Sequence, residues 1–192
     1  MTHTSDAADQ PVTRPRALMV CGAPGSGKST VGALIAHRLR AALLDLDTAT
    51  APLTAVIAEM HGTDDLDDPG LARLTRAARY ETLIRLAEDN LAAGLSTVLV
   101  APFTAERRDI RAWDQLQRRI GQVGATASMV WLCISAEEVL NRVERRGAVR
   151  DLAKLTADWP AGLDLGPPDG PHIAVDALLS PASITESVLS SL

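Results

Sequence analysis

Eight residues, GAPGSGKS from Gly22 to Ser29, limit what this chain can fold into more than any other stretch. An apolar run, ALMVCG (17–22), precedes them, of the kind found in strands buried on both faces. After them comes KSTVGALIAHRLR, whose apolar residues Val31, Leu34, Ile35 and Leu39 recur at helical spacing. Strand, glycine-rich turn and helix in that order, with G-x-x-x-x-G-K-[ST] met at every fixed position, describe a phosphate-binding loop. Glycines let successive backbone N–H groups turn inward around phosphate oxygens, where a Cβ would obstruct. The helix that follows adds its positive end. Lys28 is one of only two lysines in a chain with seventeen arginines. A compact ammonium on a flexible stem reaches the β- and γ-phosphates in a way that a planar guanidinium fork does not. The Ser29 hydroxyl suits Mg²⁺. Gly22, Ala23, Pro24, Gly25, Ser26, Gly27, Lys28, Ser29 and Thr30 are therefore expected to hold a nucleoside triphosphate, ATP with Mg²⁺, and Lys28 is also expected to be catalytic.

Strand and helix patterns alternate along the rest of the chain. Strands are expected at 41–47, 96–103, 126–135 and within HIAVDA (172–177). Helices are expected at 54–62, 71–93, 105–120 and 136–147 and in the final SPASITESVLSSL. This alternation means an α/β fold, a parallel sheet covered by helices on both faces. The polar stretch 1–16 reads as a disordered tail before a single domain over 17–192. A net charge of −5 argues against a general binder of nucleic acid or anionic membrane. No run approaches the roughly 18 to 20 apolar residues that a membrane span needs. The N-terminus has no apolar segment of the secretory kind. Cys21 and Cys133 lie in apolar runs, which reads as two buried, reduced thiols in a cytoplasmic protein. No Cys/His spacing suggests zinc.

The second strand ends in LLDLD, with Asp45 and Asp47 two residues apart. As strand residues they would share one side at the carboxyl edge of the sheet, next to the phosphate loop. One could hold Mg²⁺ through its water shell while the other accepts a proton from an attacking hydroxyl. With GAPGSGKST, LDLD, NLAAGLSTVLVAPF and RRGAVRDLAKL in place, residues 17 to 160 resemble the P-loop small-molecule kinases that include shikimate kinase and gluconokinase. Within them, the chain looks closest to short AAA-family or zeta-toxin-like ATP-binding proteins. The resemblance implies a P-loop NTPase three-layer sandwich with a five-stranded sheet in the order 2-3-1-4-5 and a lid after the fourth strand. It also implies Asp47 as the base and Asp45 as the acid on the metal side. The chain departs from several relatives at Val100, where they carry an acid or a polar group.

The lid is placed at about 145–160, in NRVERRGAVRDLAKL, with Gly147 as its hinge. Of its basic residues Arg142, Arg145, Arg146, Arg150 and Lys154, Arg146 and Arg150 flank the hinge and are the catalytic candidates. They would stabilise charge on the transferring group, and Arg142 is assigned to the nucleotide. The helix before the third strand starts at the same sheet edge. There Tyr80, Ile84, Ala87 and Leu91 form a buried stripe with Arg76 at its margin. Arg79 lies further round, toward solvent unless the acceptor cavity extends there. Asp47, Arg76, Arg79 and Tyr80 are taken as the acceptor side, with Thr104, Arg107 and Arg108 as weaker candidates. The arginines favour an anionic acceptor. The acidic loop TDDLDDPG (63–70), if it closes over the acceptor, favours a cation instead. The leading expectation is transfer of the γ-phosphoryl group of ATP to a hydroxyl of a small metabolite or antibiotic, by a monomer or homodimer. A nucleotide or sugar-nucleotide kinase is the alternative. A nucleotide-dependent ATPase or switch acting on a protein partner would expect a water-activating acid on strand three, and TVLVAPF has none.

Overall fold

The computed structural model describes residues 14–66, 68–146 and 162–192, with Arg146 described as backbone only. The expected tail before residue 14 lies outside these residues. So do the Arg146 side chain, Gly147, Arg150 and Lys154, with most of the expected lid.

Five strands form one all-parallel sheet: β1 (Arg16–Gly22), β2 (Ala42–Asp45), β3 (Thr97–Val100), β4 (Thr126–Cys133) and β5 (Ile173–Asp176). Their order is β2-β3-β1-β4-β5, so the strand that leads into the phosphate loop lies in the centre. Its side chains alternate between two cores. Ala17, Met19 and Cys21 pack with helices α3 (Pro69–Ala92) and α5 (Ile110–Gln122) through Leu83, Ala87, Leu91, Trp113 and Ile120. Leu18 and Val20 pack on the other face with α1 (Lys28–Leu39), α6 (Ala136–Arg146) and α7 (Pro181–Ser190) through Val31, Ile35, Val139, Val143 and Val188. A strand buried on both sides needs apolar residues at both parities, which ALMVCG supplies. The three layers follow, and with them the P-loop NTPase fold.

Three elements differ from the pattern expected of the sequence. The second strand stops at Asp45, whose Oδ1 accepts the backbone N–H of Asp47 at 3.0 Å and of Thr48 at 3.3 Å. This cap starts helix α2 (Leu46–His61) eight residues earlier than Thr54 and leaves Pro52 inside it. Asp47 is thus a first-turn helix residue and not a strand partner of Asp45. The helix expected over 105–120 is two: α4 (Thr104–Arg108) and α5, divided at Asp109. Asp109 takes φ −140° and ψ 110°, and its carboxylate caps α5 at Arg111 N, 2.8 Å away. Lastly, Cys133 is exposed at the end of β4, and only Cys21 is the buried thiol expected.

Helix α1 lies so close to the sheet that a Cβ on Gly32 would fall 2.4 Å from Val100 Cγ2. Val100, where several relatives were expected to carry an acid, is a buried packing partner of this helix. Gly32→Ala should therefore lower stability by about 1–3 kcal/mol despite alanine's better helix propensity. Val100→Ala should restore part of the loss, which denaturant unfolding of the single and double variants would measure.

Candidate active site

The phosphate loop turns on two left-handed glycines, Gly25 at φ 75° and Gly27 at φ 91°, a backbone that side-chain-bearing residues rarely adopt. Gly27 stands at the N-cap position of α1 without a capping side chain, and the first turn carries no acid. The leading N–H groups of the helix are left to an anionic ligand. Lys28 Nζ donates to Ala23 O at 2.8 Å, across the loop. Burial pushes the pKa of its ammonium down to about 8, with nearby Cys21 and Asp47 drawing it back up.

One carboxylate joins this loop to the next strand. Asp45 Oδ2 accepts from Ser29 Oγ at 2.9 Å, while Oδ1 caps α2. Ser29 and Asp45 thus present adjacent hard oxygens beside the loop, a donor set that fits Mg²⁺ completed by phosphate and water oxygens. Arg142 braces the loop from below: its guanidinium donates to Gly25 O at 3.3 Å, Ala177 O at 2.7 Å and Glu138 Oε1 at 2.8 Å.

A cavity of about 480 Å³ opens from the loop toward α3. Among its lining residues are Lys28, Ser29, Asp45, Asp47, Arg76, Arg79 and Tyr80. The sequence-derived loop, aspartates and acceptor-side residues therefore meet in one space. The cavity does extend to Arg79: its Nη2 donates to Asp47 Oδ1 at 2.5 Å and its Nε to Thr50 Oγ1 at 2.8 Å. Thr50 is accessible to this bond because α2 begins early and points its first turns at α3. Arg76 lies over the Tyr80 ring, 5.5 Å from the centroid. Tyr80 is both wall and lining. Its hydroxyl oxygen accepts from Phe103 N at 3.1 Å, its ring meets Phe103 edge-on at 5.9 Å, and burial pushes its phenol up to about 12.

The weaker candidates fall elsewhere. Arg107 is 2% exposed and donates to Asp164 O at 3.3 Å and Gly166 O at 2.8 Å. Arg108 donates to Pro167 O and pairs with Asp164. Both fasten the 164–169 segment to α4, and neither lines the cavity. None of the described residues of the acidic loop lines it either. Asp68 Oδ1 caps α3 at Leu71 N, 2.8 Å away, and Asp64 borders a separate depression with Ala55, Glu59 and Leu66. Sequence reasoning passed over Phe103, a fully buried residue at φ 47° just before α4, and Glu106, whose Oε2 is buried without a partner. The Pro-Phe pair after an apolar strand was the available signal for the first. Glu106 left none.

A nest-and-helix loop on the central strand, with the carboxylates of Asp45 and Asp47 at the carboxyl end of β2 and the start of α2, defines a P-loop nucleotide-binding domain. The chain belongs to the AAA domain family, whose model matches residues 18–158. Among curated proteins no sequence matches it. Solved structures with the same fold include the Mycobacterium tuberculosis APS kinase in complex with AMPPNP and APS, at TM-score 0.64 and 19% identity, covering 92% of this chain and 96% of that one. A sugar kinase from Janibacter sp. follows at TM-score 0.61 and 21% identity, covering 92% and 93%. A gluconokinase from Sinorhizobium meliloti gives 0.57 and 20%, covering 92% and 91%. The fold is thus one that small-molecule kinases use. Among the described residues no helix is long and apolar enough to cross a membrane.

Proposed function

We propose that this protein transfers the γ-phosphoryl group of ATP to a hydroxyl of a small molecule. What carries the reading is one juxtaposition: the Asp47 carboxylate, held by Arg79, lines the same cavity as Lys28 and Ser29 of the phosphate loop. Donor phosphates on the loop and an acceptor hydroxyl at Asp47 would then lie side by side in one open cavity, the proximity that an in-line displacement requires. The loop N–H groups and Lys28 hold the β- and γ-phosphates. Mg²⁺ beside Ser29 and Asp45 would supply charge neutralisation for the phosphates. Asp47 takes the proton of the acceptor hydroxyl as its oxygen bonds to the γ-phosphorus, and the bond from that phosphorus to the β–γ bridging oxygen breaks to release ADP. Arg146 and Arg150 are retained as proposed lid residues that stabilise charge on the transferring group, and Arg142 as support for the nucleotide-bound loop.

Incubating the protein with Mg²⁺-ATP and a panel of metabolites and antibiotics, followed by mass spectrometry, tests the proposal. The expected result is a product heavier by one phosphoryl group and an equal amount of ADP. ATP consumption with inorganic phosphate as the sole product, whatever acceptor is supplied, would overturn it.

A further inference from the structure

The charged groups that line the cavity are Lys28, Asp45, Asp47, Arg76 and Arg79, and four of them are committed. Lys28 lies across the phosphate loop, Asp45 is bonded to Ser29, and Asp47 is paired with Arg79 at 2.5 Å. Arg76 is left: among the described residues it makes no ion pair. Glu106 on α4 is near enough to feel the Arg76 charge, yet burial holds its carboxyl above the usual range and no ion pair joins the two. The described residues of the acidic loop, the one feature that would favour a cationic acceptor, are not among those lining the cavity.

Arg76 is also held in place. A guanidinium lying over an aromatic ring keeps the N–H groups of its edge free while the ring attracts its charge. The ring beneath it is itself fixed, by the Phe103 N–H on its hydroxyl and by the edge contact with Phe103. Such a fork loses little freedom on binding a planar or tetrahedral anion. Arg76 and Arg79 stand three residues apart on α3, so their side chains start about 5–6 Å from each other.

We propose that Arg76, lying over Tyr80, is an anion anchor, and that the acceptor carries a carboxylate or phosphate about one helical turn from its reacting hydroxyl. The inference rests on the phosphoryl-transfer reading for its reaction, but not for its binding.

Two measurements test it. In the first, acceptors are compared in three groups: hydroxy acids, phosphate monoesters of polyols, and uncharged or amine-bearing polyols. Product is expected from an anionic group, and which of the two reacts tells carboxylate from phosphate. Arg76→Met should lower kcat/KM for that acceptor by about tenfold to a hundredfold, in line with the loss of a charge-assisted pair. Equal turnover of uncharged or amine-bearing polyols would overturn the proposal. The second measurement is independent of turnover. With the loop saturated by Mg²⁺-AMPPNP, citrate and inorganic phosphate, but not sorbitol, should raise Tm in the wild type and fail to do so in Arg76→Met. No anion effect in the wild type, or an equal effect in both proteins, would overturn the anchor. An Arg76-dependent anion effect without any phosphorylated product would leave the anchor standing and overturn the transfer reading alone.

Discussion

Lys28→Met is expected to abolish phosphoryl transfer and at the same time to make the ligand-free protein more stable. The ammonium sits in the loop with its pKa pushed down to about 8 by burial, against an ordinary 10.5. Below pH 8 it is charged in both the folded and unfolded chains, and the folded chain bears the full cost of burying it. Between pH 8 and 10.5 the folded chain has released the proton that the unfolded chain still holds, so the cost fades. Above both values it is gone. Methionine keeps the stem and removes the charge, so its advantage should be about 2 kcal/mol at pH 7 and should shrink toward pH 10.5. The loss of the bond to Ala23 O offsets part of it. Thermal unfolding across this pH range reads the effect. In the wild type, triphosphate requires the protonated form, so nucleotide affinity should fall about tenfold per pH unit above 8. A nucleotide affinity independent of pH, or a variant that melts lower at pH 7, would remove Lys28 from the role given to it. Transfer itself should drop by at least about a hundredfold to a thousandfold, the scale of a lost charge at a developing anion.

The second large effect is expected at Asp47. Asp47→Asn retains an oxygen for Arg79 and leaves the cap at Asp45 intact, so the fold should survive. It cannot take a proton. A fall in kcat of about a hundredfold to ten-thousandfold is expected, with nucleotide affinity unchanged. Asp45→Asn is the informative comparison. Asparagine caps a helix as well as aspartate does, so α2 should still start at Leu46. The charge beside Ser29 is lost, and the requirement for Mg²⁺ should rise instead. If the two substitutions gave the same phenotype, the division of labour between the two carboxylates would fail. Full activity in Asp47→Asn would eliminate the base.

These two residues also show how far the sequence could be read. GAPGSGKS specifies its own conformation through glycine positions, and the apolar runs specify a strand buried on both sides. The central strand and the loop were therefore accessible, while the strand order came from the family resemblance. Of the LDLD pair, Asp45 ends the strand as expected, but Asp47 was placed on the strand and belongs to helix α2. Whether a carboxylate ends a strand by capping a helix depends on the competition between one more ladder bond and two side-chain bonds. For Arg79 both solvent and cavity stayed open, because its angular position on α3 says nothing of α2, whose early start brings Thr50 and Asp47 within reach. Arg107 carries the same charge as Arg76, yet it is spent on carbonyls of a segment more than fifty residues away. Such partners have no fixed spacing. The lid arginines beyond residue 145 are carried by resemblance alone.

The Asp45 carboxylate has one oxygen on the phosphate loop and the other on the helix that bears Asp47. In the proposed reaction it would be a mechanical joint between the donor and acceptor halves of the cavity. Any rotation that suits Ser29 tilts the first turn of α2, and any shift of that turn is returned to Ser29. Sites joined in this way share a coupling free energy: occupancy of the loop alters the grip on the acceptor, and the acceptor alters the grip on the nucleotide by the same factor. The two substrates of such a protein would not bind as strangers.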